Sequence, residues 1–303
     1  MKIRQMIFGT ASSLMWIASA QAAADCSIEF NGPASLLAPD VASTAASEIR
    51  AAISPDGKTL LWGSPDRKGG PGGWDIWIAT RNGDAWTNAK PVTFNTAAKE
   101  FDPVFSPDGR IVYFFSDRTG GIGGDDIYRI SFDTKTSNFG AIENLGVEVN
   151  SKANEWAPTI STDGKQMLFA SNGHGGAGGY DLFVAKRTGK HWRKIKPLAG
   201  DVNTDKDEFD ATWIDAGKAL VFSRSNDIVA EKPINLLLAC RSGKVYLAPQ
   251  ILGAEINVAN GWNFGPVEDL SQPHALLFTS HRQNAARGGL DLYRITYRLA
   301  RQK

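Results

Sequence analysis

Histidine and cysteine are scarce in this chain, and their scarcity excludes most metal and nucleophile chemistry. The four histidines, His174, His191, His274 and His281, fall in different stretches without the spacing of metal ligands. No Gly-x-Ser-x-Gly elbow is available to present a nucleophilic serine. Beyond the first 24 residues no run approaches the ~20 apolar residues of a membrane helix. No segment repeats apolar residues at helical spacing over three turns. Charge of one sign is also missing: without Lys2 and Arg4, 31 basic residues face 32 acidic ones, so neither nucleic acid nor an anionic membrane is indicated as a partner. The basic tail Arg294, Arg298, Arg301 and Lys303 reads as a solvated terminal strand. The sequence points to no cofactor and no metal. The acidic run Asp205-Lys-Asp207-Glu208 has several hard oxygens but lacks the glycine and spacing of a calcium loop.

What the chain does contain begins with a secretory leader over residues 1–24. Lys2 and Arg4 form a positive start, Ile7–Ala18 a short apolar stretch, and Ala20-Gln21-Ala22 or Ala22-Ala23-Ala24 a small-residue cleavage site. The mature protein is therefore expected in an oxidising periplasm as a single domain over 25–303. Asp25 ahead of Cys26 argues against a lipidated cysteine.

One turn recurs through that domain. Ala52-Ile-Ser-Pro-Asp-Gly57-Lys returns as Val104-Phe-Ser-Pro-Asp-Gly109-Arg and Thr159-Ile-Ser-Thr-Asp-Gly164-Lys, then decays to Thr212-Trp-Ile-Asp-Ala-Gly217-Lys. Its glycines step by 52, 55 and 53 residues, a period of stacked or radial repeats. Each unit carries a strand behind an acid (Glu48, Glu100, Glu155, Glu208), the Asp-Gly hairpin turn, and a second strand such as Ile111-Val-Tyr-Phe-Phe115. A glycine loop follows (69–73, 120–124, 175–179), then a third strand opening on Asp75, Asp126, Asp181 or Asp291, and a fourth. Four antiparallel strands per ~50 residues make one propeller blade. The expected units run roughly 47–96, 99–151, 154–204, 207–258 and 261–297. The fifth lacks its fourth strand, which residues 31–40 are expected to supply beside 291–297. The fold class is therefore an all-β, five-bladed β-propeller closed by its N-terminal strand.

The Ser-Pro-Asp-Gly-Lys turn, the Leu-x-Phe-x-Ser strand, the Gly-Gly-x-Gly-Gly loop and the Asp-Ile-Tyr strand resemble the WD-like propeller repeat of TolB-type periplasmic proteins over residues 28–297. The resemblance implies a non-catalytic binding scaffold that recognises a protein or cell-envelope component through one propeller face. TolB proper carries an α/β domain ahead of its propeller; the stretch before the first repeat is too short for one, so no particular TolB partner is implied.

Propeller topology gathers the leading acids and the glycine loops on one face. Residues present in nearly every unit, Glu48, Glu100, Glu155, Glu208, Asp75, Asp126, Asp181 and Asp291, are expected to serve the blade. Those that differ between units are the candidate binding set: Arg50, Asp102, Asp210, Asn263, Trp74 and Tyr180, with Arg67 and Arg118 from the loops and Asp125 and His174 nearby. Replacing Arg50, Asp102 or Asp210 is expected to affect binding with little change in melting temperature. The glycine loops precede strands rather than helices, so they lack the helix N-terminus of a phosphate loop. Trp74, Trp156, Trp262 and Tyr180 also allow a carbohydrate-binding propeller, since aromatic rings stack on sugars. Asp102 with Asp210 allows a propeller glycoside hydrolase or lyase. No catalytic residue is otherwise evident. The fourth unit replaces its glycine loop by 225–233, which marks either a functional sector or drift. Last, Cys26 precedes the closing strand and Cys240 aligns with Thr80 at the end of a third strand in the adjacent blade. A disulfide or two unpaired cysteines are both compatible with that register.

Overall fold

The computed structural model describes residues 26–228, 230, 233–282 and 286–301; the leader expected at 1–24, and residues 229, 231 and 232 of the fourth-unit loop, lie outside them. Five antiparallel sheets form five blades around an axis. Their inner strands are Ile49–Ile53, Glu100–Phe105, Glu155–Ile160, Asp207–Ile214 and Asn263–Glu268. Each packs against the inner strands of the two neighbouring blades, and the fifth returns to the first. Sandwiched in this way, inner and second strands are buried on both faces, as Thr59–Ser64 is throughout; outer strands such as Ala85–Pro91 are mostly half-buried or exposed. The second strands therefore read as near-continuous apolar runs, whereas the outer ones read as mixed. The fourth blade breaks its outer strand into Val245–Tyr246 and Gln250–Ile251.

The N-terminal segment closes the ring, and it starts earlier than the sequence suggests. Ser35–Leu36 pairs with Tyr293–Arg294, and Cys26–Phe30 pairs with Tyr297–Arg301. The third strand of blade five accordingly runs Asp291–Arg301 rather than stopping near 297. The added length is stabilised by buried Tyr297 on one side and by Arg298, which pairs with Glu29 at 2.6 Å, on the other. A disulfide joins Cys26 to Cys240 in blade four, with Cα atoms 5.7 Å apart.

The leading acids hold the blades together. Glu100 is wholly buried; it accepts from Thr96 N–H (2.6 Å) and Thr96 Oγ1 (2.8 Å), and pairs with Arg118 at 2.9 Å. Glu208 does the same with Thr204 and Arg224, and Glu155 with Ser151 N–H and Ser171 Oγ. The backbone N–H of each acid crosses to the preceding blade: Glu100 to Trp74 O (2.9 Å), Glu155 to Asp125 O, Glu208 to Tyr180 O and Glu48 to Leu290 O (2.8 Å each). Glu48 lacks the direct ion pair, because Arg67 instead donates to Val41 O and lies 4.3 Å over the Trp77 ring. Burial consequently pushes the Glu48 carboxyl up to about 7.

The glycine loops are joints between blades. Their third-strand acids accept loop N–H groups: Asp126 from Ile122 and Gly123, Asp181 from Ala177 and Gly178, Asp291 from Arg287 and Gly288, Asp75 from Gly72. The loop backbone then presses onto the next blade. A Cβ on Gly72 would stand 2.7 Å from Thr96 O and Ala98 O, and one on Gly288 2.0 Å from Ala46 O across the ring closure.

Three measurements check this account. Gly72→Ala should cost about 1–3 kcal/mol in thermal unfolding. Gly73→Ala, whose methyl meets nothing within 4 Å, should be close to neutral; equal effects would remove the joint. Thiol titration of unfolded, unreduced protein made in an oxidising compartment should find no free thiol, and reduction should lower stability by up to about 5 kcal/mol; two free thiols before reduction contradict the bridge. The folded state holds a proton on Glu48 that the unfolded state releases near 4.5. Its contribution is thus fully present below that pH and fades as pH rises toward 7. The Glu48→Gln variant should therefore gain stability relative to wild type between pH 4.5 and 7, and a flat difference curve would refute the assignment.

Candidate functional site

Every inner strand carries the same irregularity. Its register against the second strand shifts between Ile49 and Ala52, Phe101 and Val104, Trp156 and Thr159, Phe209 and Thr212, Phe264 and Val267. The residue that opens each bulge is left-handed: Arg50 (φ 48°), Asp102 (51°), Ala157 (52°), Asp210 (45°) and Gly265 (63°). A non-glycine residue there costs on the order of 1 kcal/mol or more, and bulges are devices for re-aiming side chains. Here they gather one residue per blade about the axis. The sequence assigned Asn263 to this set; the register places Gly265 there instead. Asn263 stands in for a leading acid, accepting from Ser280 Oγ (2.8 Å) and Val258 N–H (3.0 Å). The bare Gly265 makes room for Arg50, whose Cα and Cβ would lie 3.3 Å from a Cβ at 265.

Arg50 is fully enclosed. Its Nη2 donates to Thr159 Oγ1 (2.9 Å) and Pro158 O (3.2 Å) of blade three, and Nη1 sits 3.8 Å from Asp210 Oδ1. Asp210 Oδ2 accepts Gly265 N–H at 3.1 Å. Arg50 therefore spans three blades, and removing it would strand a buried carboxylate, at a cost of about 3–5 kcal/mol. The expectation that position 50 can change without thermal damage does not fit this geometry. Asp102 is only 5% exposed, and no described residue gives its carboxylate a hydrogen bond or an ion pair. Burial, followed by the charge of Asp210, drives its carboxyl well above the usual range, against the pull of Arg50. Burial raises Asp210 too, opposed by Arg50 and Gly265 N–H.

A cavity of about 470 Å³ opens beside Asp102 and Asp210. Ile49, Phe101, Trp156, Phe209 and Phe264, the residues just before the bulges, each contribute one blade's share of its wall. Trp74 and Asp125, which precede third strands, and Ile234, which opens one, supply a second tier, with Lys99, Ile228 and Trp262 beside them. Past the bulges toward the Asp-Gly turns, the axis narrows to about 20 Å³ among Thr159, Thr212 and Trp213. Two of the charged members engage each other: Lys99 Nζ reaches Asp125 Oδ1 at 2.7 Å, and Trp156 Nε1 donates to Asp125 Oδ2 at 2.7 Å. Tyr180 stacks on Trp156 with centroids 3.9 Å apart.

Of the residues singled out in the sequence, Asp102, Asp210, Trp74, Asp125, Trp156 and Trp262 thus meet in one cavity. Arg67, Arg118 and Asn263 serve the blades, and Tyr180 backs the wall. His174 lies 3.8 Å from Glu155 and against Val149 O. In the acidic run, Asp207 accepts from Tyr180 N–H and Ile228 N–H; among the described residues no group of three or more His, Cys, Asp or Glu could hold a metal ion, and no helix is long and apolar enough to cross a membrane. Sequence reasoning missed Lys99, Phe101, Phe209 and Phe264. A signal existed for them: the positions on either side of the leading acid vary between units, as Ser47, Lys99, Asn154 and Asp207 show.

No family model and no curated protein matches the chain. Solved structures do match the fold. TolB from Acinetobacter baumannii is 14% identical over 84% of this chain, with a TM-score of 0.49, and the chain spans 55% of its length. A TolB-designated protein from Agrobacterium tumefaciens is 14% identical, with 86% of this chain and 92% of that one covered and a TM-score of 0.50. A family 43 β-xylosidase/α-arabinofuranosidase from a compost metagenome is 11% identical, covering 88% of this chain and 94% of that one, with a TM-score of 0.52. At such identities the likeness is one of fold: this chain is a five-bladed β-propeller similar in fold to TolB-designated and glycoside hydrolase structures.

Proposed function

We propose that this protein is a non-catalytic periplasmic binding scaffold that receives part of a protein or cell-envelope component, end-on, in the axial cavity of its glycine-loop face. The observation that carries the reading is the cavity itself. Its volume of about 470 Å³ falls in the range of ligand sites, and its make-up, apolar walls with a few deep polar groups, is theirs too. Trp74, 40% exposed at its edge, is the kind of aromatic that anchors an interface. The periplasmic setting rests on the leader read at residues 1–24.

Binding is favoured over hydrolysis by how Asp210 is held. A glycosidase needs one carboxyl to give a proton and a second to act as base or nucleophile. Here Asp210 is occupied by Gly265 N–H and faces Arg50. A photo-reactive amino acid in place of Trp74 should capture an envelope component. The same replacement at Val245, 41% exposed at the opposite face, should not. Equal capture from both positions, capture from neither, or release of reducing sugar from envelope glycans would overturn the reading.

A further inference from the structure

The chemistry of the cavity narrows what enters it. Its wall is aromatic and aliphatic, with three tryptophans each backed by a phenylalanine: Trp74 on Phe101 (4.6 Å), Trp156 on Phe115 (6.2 Å) and Trp262 on Phe264 (6.4 Å). Among the described residues its charged side chains are Asp102, Asp210, Asp125 and Lys99. Lys99 is taken up by Asp125, and Arg50 lies beside Asp210, so these groups offer few free donors for an anion or a sugar polyol. What remains is one carboxyl with no partner among the described residues, Asp102, more than nine-tenths buried and lining the cavity among rings.

We propose that the cavity accepts an organic ammonium group, a cation with an apolar body, whose charge is met by Asp102 and whose body lies against Trp74, Trp156 and Trp262. The inference rests on the cavity being the binding site. Aromatic faces attract cations, most strongly where water is displaced. An ion also restores to Asp102 the partner that its burial removed. The cation would replace the Asp102 proton, so binding releases a proton and tightens as pH rises. The charges facing Asp102 set that titration: Asp210 and Asp125 hold the proton on, and Arg50 opposes them, while Lys99 stays with Asp125.

Calorimetry with benzylamine, benzyltrimethylammonium, benzyl alcohol and cellotriose tests the assignment. The two ammonium compounds should bind at least about tenfold more tightly than the alcohol, as expected for a hydrogen bond or contact to a charged group. Their affinity should rise with pH, by up to about tenfold per unit below the raised carboxyl pKa. Asp102→Asn should erase the preference and the pH slope. Asparagine tolerates the left-handed backbone at that position, so its melting temperature should not fall. Trp74→Ala, at the exposed edge, should weaken the ammonium compounds severalfold. Benzyl alcohol or cellotriose binding as tightly as the ammonium compounds, or unchanged affinity in Asp102→Asn, would overturn the inference. If position 74 captures an envelope component while the ammonium compounds do not bind, the cation assignment fails and the cavity reading stands; if neither occurs, both fall.

Discussion

A buried carboxylate at the head of four of the five inner strands, with Asn263 in its place on the fifth, is the constraint on which this propeller depends. Glu100 illustrates it: one side chain caps the turn at Thr96, receives the second strand through Ser116 (3.1 Å) and binds Arg118 from the loop beyond, while its backbone N–H reaches the preceding blade. Desolvating a carboxylate is costly, and it is tolerated only because nearly every oxygen lone pair finds a donor. Where one donor goes elsewhere, as Arg67 does, the carboxyl takes up a proton more readily. The same pegs set the height of the following residues, so the ring of Ile49, Phe101, Trp156, Phe209 and Phe264 and the bulges after it are level around the axis.

That levelling creates the site. Five left-handed bulges converge, and the side chains they bring together are not equivalent: one cation, two carboxyls, one methyl and one glycine. Glycine at 265 is needed beside Arg50, and Arg50 is needed beside Asp210. Of these five, Asp102 is the carboxyl that no described residue complements. In a low-dielectric interior an unpaired carboxyl is the expensive member of such a layer, and strain of this kind collects where a molecule acts. Beyond the layer, near Thr212 and Trp213, only about 20 Å³ of space is left, and the glycine-loop side gives the layer its mouth.

Much of this was legible in the residues. The Asp-Gly turns and their period named the blades, because a hairpin turn with positive φ is a local demand met by few residues. The repeated acids could be separated from the variable positions by comparing units within one chain. The glycine loops could be told from phosphate loops because a strand follows them. Less legible was the register. Asn263 and Gly265 are two residues apart in a unit whose turn has decayed, and only the alignment of Phe264 with Phe101 and Phe209 distinguishes peg from bulge. Arg50 looked like a replaceable pocket residue, yet its guanidinium is enclosed, because the contact that encloses it comes from Pro158 and Thr159, more than a hundred residues away.

By itself the sequence determined the blade, the ring and the way the ring closes, since those follow from local turn chemistry, strand patterning and a missing fourth strand. Tertiary structure decided which side chains share the axis, which of them are already engaged, and where the space lies. Those facts depend on the rotation of each blade about the centre and on bulges whose left-handed residues carry no compositional mark. Asp102 and Asp210 are equally acidic in the sequence; only the placement of Arg50 and Gly265 beside one of them makes the other the open group.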